Sequence, residues 1–129
     1  MNTENGVVSK PSKYSVKETI DRLEAVLNAA GITIFVRIDQ QAEAERVGLS
    51  LPPIQLLLFG NPQGGTPLMV AMPLIALDLP LKALAWEDEQ GKVWLSYNQP
   101  NYLQQRFSLS DELIKNIAGM EGLIDQSLA

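Results

Sequence analysis

The chain has no cysteine and no histidine. The first absence excludes disulfides and thiolate chemistry. The second removes the commonest general base and the commonest transition-metal ligand. Ser-His-Asp, Cys-His and His-metal mechanisms therefore cannot operate from this chain alone. Positive charge is also scarce: 10 Lys and Arg stand against 15 Asp and Glu, for a net charge of −5. The basic footprint of a nucleic-acid binder is missing, as is a polybasic patch for a membrane surface. No apolar run approaches the ~18 residues of a membrane span. The N-terminal "MNTENGVVSK" lacks the basic-then-apolar pattern of a leader. These absences lead to the expectation of a cytoplasmic protein with no nucleic-acid and no membrane partner, no metal and no cofactor. Carboxylate, Lys, Tyr or Ser chemistry remains open, as does no chemistry.

What is present is enough for a core. The 129 residues are 46% hydrophobic and 19% charged, the make-up of an ordered chain. A chain of this length buries roughly two-thirds of its unfolded surface, so a single domain over residues 1–129 is expected.

Val7 and Val8 suggest a short first strand. Val16, Ile20, Leu23, Val26, Leu27 and Ala30 then recur at helical spacing behind Ser15 as N-cap, and Gly31 follows as the stop. Glu18 and Arg22 are placed to pair on the outer face. "ITIFVRID" (32–39) reads as a strand and "QAEAERVG" (41–48) as a short helical turn. "IQLLLFG" (54–60) reads as a strand covered on both faces or lying at a subunit interface. The Gly- and Pro-rich "NPQGGTP" follows, with Thr66 expected to cap a helix that has Pro67 at its first position. "LKALAWED" (81–88) and "KVWLSYN" (92–98) flank Asp88-Glu89-Gln90-Gly91, the spacing of a hairpin with a type I turn and Gly91 left-handed. A short helix is expected over 99–107. A last one follows a Ser cap, with Leu113, Ile117, Met120 and Ile124 as its buried stripe. The order predicts an α+β two-layer sandwich, β-α-β4-α, with a mostly antiparallel sheet and extra short helices.

"LLFGNPQGGTPLM" (57–69) and "LDLPLKALAWEDEQGKVWLSYNQPNYL" (77–103), with "RIDQQAEAERVGL" (37–49) more weakly, resemble the domain of unknown function 302 family. The resemblance runs from about residue 14 to the C-terminus. It implies a fold like one repeat of the TATA-box-binding protein, often associated as a dimer, and no assigned reaction. It does not imply DNA binding, since a fold does not carry a function. This chain departs from the family pattern in three places. Gln40 and Gln41 follow Asp39 where relatives commonly carry His, "YNQP" replaces YNDP, and Phe107 stands near where a His tends to follow the YL segment.

Several groups of residues invite a functional reading beside a structural one. The loop at Gly60 to Thr66 lacks the Lys-Ser/Thr that a P-loop needs, so a structural turn using glycine's conformational freedom is the better account, though a helix starting at Thr66 would offer N–H groups to an anion. Glu87, Asp88 and Glu89 lie at the hairpin tip. Adjacent strand residues face opposite ways, so Glu87 and Asp88 should not pair, and Asp88 capping the turn is the better account. Lys82 and Trp86 share one strand face and would anchor a ligand, or Lys82 would merely cover a ring with its stem. Tyr97, Asn98 and Tyr102 would line a pocket or satisfy a strand–helix junction. The apolar excess of "IQLLLFG" and "PLMVAMPLIALDL" fits a homodimer interface, or an apolar-ligand pocket with Met69 and Met72 as adaptable walls.

The expected function is a non-enzymatic homodimeric module that binds a small molecule or a protein partner. Its ligand contacts would be Asn61, Gly65, Thr66, Lys82, Trp86, Tyr97 and Asn98, with no residue expected to be catalytic. The alternatives are a hydrolase or isomerase using carboxylate, Lys or Tyr chemistry, and a structural dimeric scaffold.

Overall fold

The computed structural model of the chain describes residues 4–129; the start of the N-terminal decapeptide lies outside the described residues. Five strands form one sheet: β1 (Val7–Ser12), β2 (Thr33–Asp39), β3 (Ile54–Gly60), β4 (Leu81–Glu87) and β5 (Val93–Asn98). Their order is β1-β5-β4-β3-β2, and every neighbouring pair is antiparallel. The two edge strands are consecutive in the chain, so α1 (Val16–Ala29) must cross the whole sheet between them. With further helices after β5, the molecule is the α+β, β-α-β4-α arrangement expected from the sequence.

α1 begins where expected, because the Ser15 hydroxyl accepts the Glu18 N–H at 3.1 Å. Ile20, Leu23 and Leu27 are fully buried on its inner face. Opposite them β4 presents Leu81, Ala83 and Ala85, and the small side chains of the two alanines let the helix lie close. Each fully buried Leu or Ile contributes roughly 1.5–3 kcal/mol. The expected Glu18–Arg22 pair is not made. Arg22 instead donates to the Ser127 and Ala129 carbonyls at 2.9 and 3.0 Å, and Lys17 pairs with Asp21 at 2.8 Å. A long cation finds a better partner in the bare carbonyls of a helix C-terminus than in a solvated carboxylate.

α2 (Gln40–Arg46) is capped by the Asp39 carboxylate, which accepts the Ala42 N–H at 3.0 Å. The β4–β5 hairpin turns as expected, with the Gly91 N–H bonded to the Asp88 carbonyl at 3.0 Å and Gly91 at φ 78°. The C-terminal region differs from expectation. One long helix was expected; α4 (Pro100–Phe107) is followed by two helices, α5 (Asp111–Ala118) and α6 (Met120–Leu128), which meet at Gly119. The buried stripe is Ile114, Ile117, Met120 and Ile124, with Leu113 only half-buried. α6 packs beside α1 on the same face of the sheet.

Candidate functional site

The segment after β3 is a helix, and it starts earlier than the sequence suggested. α3 spans Pro62–Ala71, with Asn61 as its cap and Pro62 at its first position. Thr66 is therefore an exposed residue inside the helix rather than its cap, and Pro67 lies within it. Asn61 outcompetes Thr66 because its side-chain oxygen reaches the Gln63 N–H at 3.0 Å while its carbonyl takes the Gly64 and Gly65 N–H groups at 2.9 and 2.8 Å. Pro62 has no N–H. All the donors of the first turn are thus occupied, so the anion contact left open beside the structural-turn reading has no free N–H at this helix start.

The two glycines of this helix have different jobs. A Cβ on Gly64 would come within 3.0 Å of the Asn116 carbonyl oxygen, so α3 and α5 touch backbone to backbone there. The Asn116 amide also donates to the Gly64 carbonyl at 3.1 Å and closes the contact. Gly65 faces the other way, where an added Cβ would meet Leu79 and Met69 at the ordinary contact distances of 3.8 and 4.0 Å, beside a space that all three line.

That space is a cavity of about 420 Å³ between the sheet and the helices. Its floor is Phe59, Gly60 and Leu81, and one wall is Leu27, Ile32 and Phe35. Gly65, Met69, Leu79 and Pro80 form the second wall, and Ile117, Met120 and Leu123 the third. Asn61 and Asn116 supply the polar side chains, and among the described residues no acidic, basic or tyrosine side chain lines it. Its size lies within the range of small-molecule sites.

Of the residues expected to contact a ligand, Asn61 and Gly65 line this cavity. Thr66 is on the outer side of α3. Lys82, Trp86 and Asn98 point to the opposite face of the sheet, because strand residues alternate and Leu81, Ala83, Ala85 and Tyr97 take the helix side. There Trp86 stacks on Trp94 with ring centroids 6.4 Å apart and donates to the buried Ser96 hydroxyl at 2.8 Å. Lys82 donates to the Pro80 carbonyl at 3.3 Å. Of the two methionines read as adaptable walls, Met69 lines the cavity. The sequence did not single out Phe35, Leu79 or Asn116. Nothing local marks them, since they come from a strand bulge, a loop and a helix brought together only by folding.

Tyr97 belongs to a separate polar cluster. It is buried on the helix side, donates to the Glu121 carboxylate at 2.7 Å, and has the Lys10 ammonium 5.5 Å from its ring. Lys10 in turn pairs with Asp125. Burial, then the bond to Glu121, pushes the Tyr97 phenol up to about 12, against a smaller lowering by Lys10. Burial disfavours the charge on Lys10, but Asp125 and Tyr97 together hold its pKa above the ordinary value. A tyrosine base or lysine nucleophile needs the opposite shift. At the hairpin, Asp88 accepts from Trp94 Nε1 at 3.0 Å and from the Gln90 and Lys92 N–H groups, which lowers its pKa. Its carboxylate is committed to the turn.

A family model described as domain of unknown function DUF302 matches residues 8–127. A crystal structure of an uncharacterised conserved DUF302 protein from Bacillus stearothermophilus superposes with a TM-score of 0.79, covering 95% of both chains at 21% identity. At that identity the likeness shows the fold. The chain is also 46% identical over 129 residues to a protein of Brucella suis biovar 1 named fluoride-specific ion channel FluC 1, covering 98% of this chain and 51% of the relative. A Brucella abortus biovar 1 protein of the same name matches equally well over 48% of its length. The chain thus spans about half the length of the curated relatives it matches. These names correct the expectation of no membrane partner, for an ion channel works in a membrane. Charge and hydropathy missed the link because they report on this half of the relatives only. Among the described residues no helix is long and apolar enough to cross a membrane.

Proposed function

The chain belongs to the DUF302 family, and from that premise we propose that it is a non-enzymatic module that binds a small molecule in the cavity beside α3. The observation that supports this reading is the cavity itself: about 420 Å³, apolar on three sides, with two amides at its rim. The titratable cluster at Tyr97 is not among the residues lining that space, and Tyr97 and Lys10 are both shifted away from catalytic use. This weighs against the hydrolase or isomerase reading.

The test uses N-phenyl-1-naphthylamine, a neutral probe that brightens in apolar sites. The purified chain should enhance its fluorescence saturably. Gly65→Leu, which grows a side chain into the cavity, and Met69→Trp, which fills it from the adjacent wall, should each abolish the enhancement while circular dichroism stays unchanged. Enhancement that survives both substitutions in folded protein would sink the reading.

A second reading is favoured by the relatives. Because the chain matches about half of proteins named fluoride-specific ion channels, we infer that this module works alongside such a channel. Titration calorimetry of the chain against the other half of the Brucella suis relative, held in detergent micelles, should show saturable binding. No binding at up to millimolar concentration would overturn it.

A further inference from the structure

The chemistry of the cavity narrows what it would hold; this step rests on the binding reading above. Three observations agree. Among the described residues the lining carries no ionisable side chain, so a charged ligand would lose its hydration without gaining a counter-ion. The N-terminus of α3 at the cavity has no donor left for an anion, since the Gln63, Gly64 and Gly65 N–H groups are all bonded to Asn61. The two rim amides are each only half-used. The Asn61 oxygen is taken by Gln63 while its Nδ2 has no partner among the described residues. The Asn116 Nδ2 is taken by Gly64 while its oxygen likewise has none there.

We propose that the cavity selects uncharged, largely apolar molecules bearing one group that both accepts and donates a hydrogen bond, such as a primary amide or alcohol. The Asn61 Nδ2–H groups donate to the ligand's oxygen, and the Asn116 Oδ1 accepts a hydrogen bond from the ligand's N–H or O–H. Both side chains are positioned by the bond each makes elsewhere: Asn61 is held by its cap and Asn116 by Gly64. The apolar body of the ligand lies against Phe35, Met69, Leu79 and Met120.

The experiment displaces bound N-phenyl-1-naphthylamine with decanamide, decanoate and decylammonium at neutral pH. These probes share a chain length and differ in charge. Decanamide should displace the dye at least about tenfold more effectively than either ion. Asn61→Asp keeps an oxygen for the cap but replaces the N–H donors with a charge. It should weaken decanamide about tenfold, whereas Val70→Ala, at an exposed position of α3 outside the cavity lining, should leave displacement by decanamide within about twofold. Equal displacement by all three chains, or an Asn61→Asp variant that binds decanamide as well as the parent, overturns the selectivity and leaves the binding site standing. Absence of any saturable dye enhancement overturns both.

Discussion

Tyr97 illustrates how a residue that reads as pocket-lining in a sequence becomes structural when its neighbours are known. A tyrosine near a strand end is compatible with a pocket, and the sequence placed it there beside Asn98. Strand alternation separates the two: Tyr97 faces the helices and Asn98 the open side. The buried phenol then bonds Glu121 and is held protonated to about pH 12. Its pKa is raised relative to the unfolded value near 10, so the unfolded chain releases its proton first. The stability it contributes is complete below about pH 10 and is lost as the pH rises toward 12. Denaturant melts between pH 9 and 12 should show a falling limb that Tyr97→Phe flattens. A limb of unchanged steepness in the variant would refute the assignment.

At the scale of elements, the segment from Asn61 to Ala71 is the one whose composition misled most. Two prolines and two glycines argue against a helix by propensity alone, since each interior Gly costs roughly 1 kcal/mol and Pro more. The helix forms because its cap is strong, Pro62 falls at the first position, and Gly64 lets α5 approach its backbone. Adjacent glycines should therefore respond with opposite sign. Gly64→Ala forces Cβ to within 3.0 Å of a backbone oxygen and should destabilise by about 1–2 kcal/mol net of its propensity gain. Gly65→Ala meets only ordinary contacts at 3.8 and 4.0 Å and should stabilise by about 0.5–1 kcal/mol. Urea denaturation of the pair decides this. The hairpin, by contrast, was legible in the sequence to its turn residues. Asp88 and Gly91 act within a few residues of one another, and local chemistry is what a sequence displays.

For the whole molecule, the C-terminal helix closes the fold. α6 is fastened to β1 through Lys10 and Asp125, to β5 through Tyr97 and Glu121, and to α1 through Arg22, whose guanidinium also lies 4.1 Å from the Tyr14 ring. Each of these joins residues far apart in the chain. Arg22→Ala removes two hydrogen bonds to helix-end carbonyls and should cost about 1–2 kcal/mol, with hydrogen exchange accelerated first in α6. Uniform exchange with unchanged stability would show that α6 does not depend on this tie.

Periodicity, caps and turn chemistry were enough to establish the α+β class and the order of strands along the chain, because each depends on residues close in sequence; the family was legible separately, through the resemblance carried by 57–69 and 77–103. The absence of Cys and His likewise ruled out whole mechanisms without any coordinates. The cavity was decided only by the tertiary structure. Its lining comes from α1, β2, β3, α3, β4, α5 and α6, and no local pattern says which residues of seven elements will leave a space unfilled. The pairing register of β4 with β5 also decided that Tyr97 lies on the helix side while Lys82 and Trp86 lie on the other, and so separated residues that the sequence had grouped into one site. A site is a property of long-range packing, whereas an element is a property of its own neighbours.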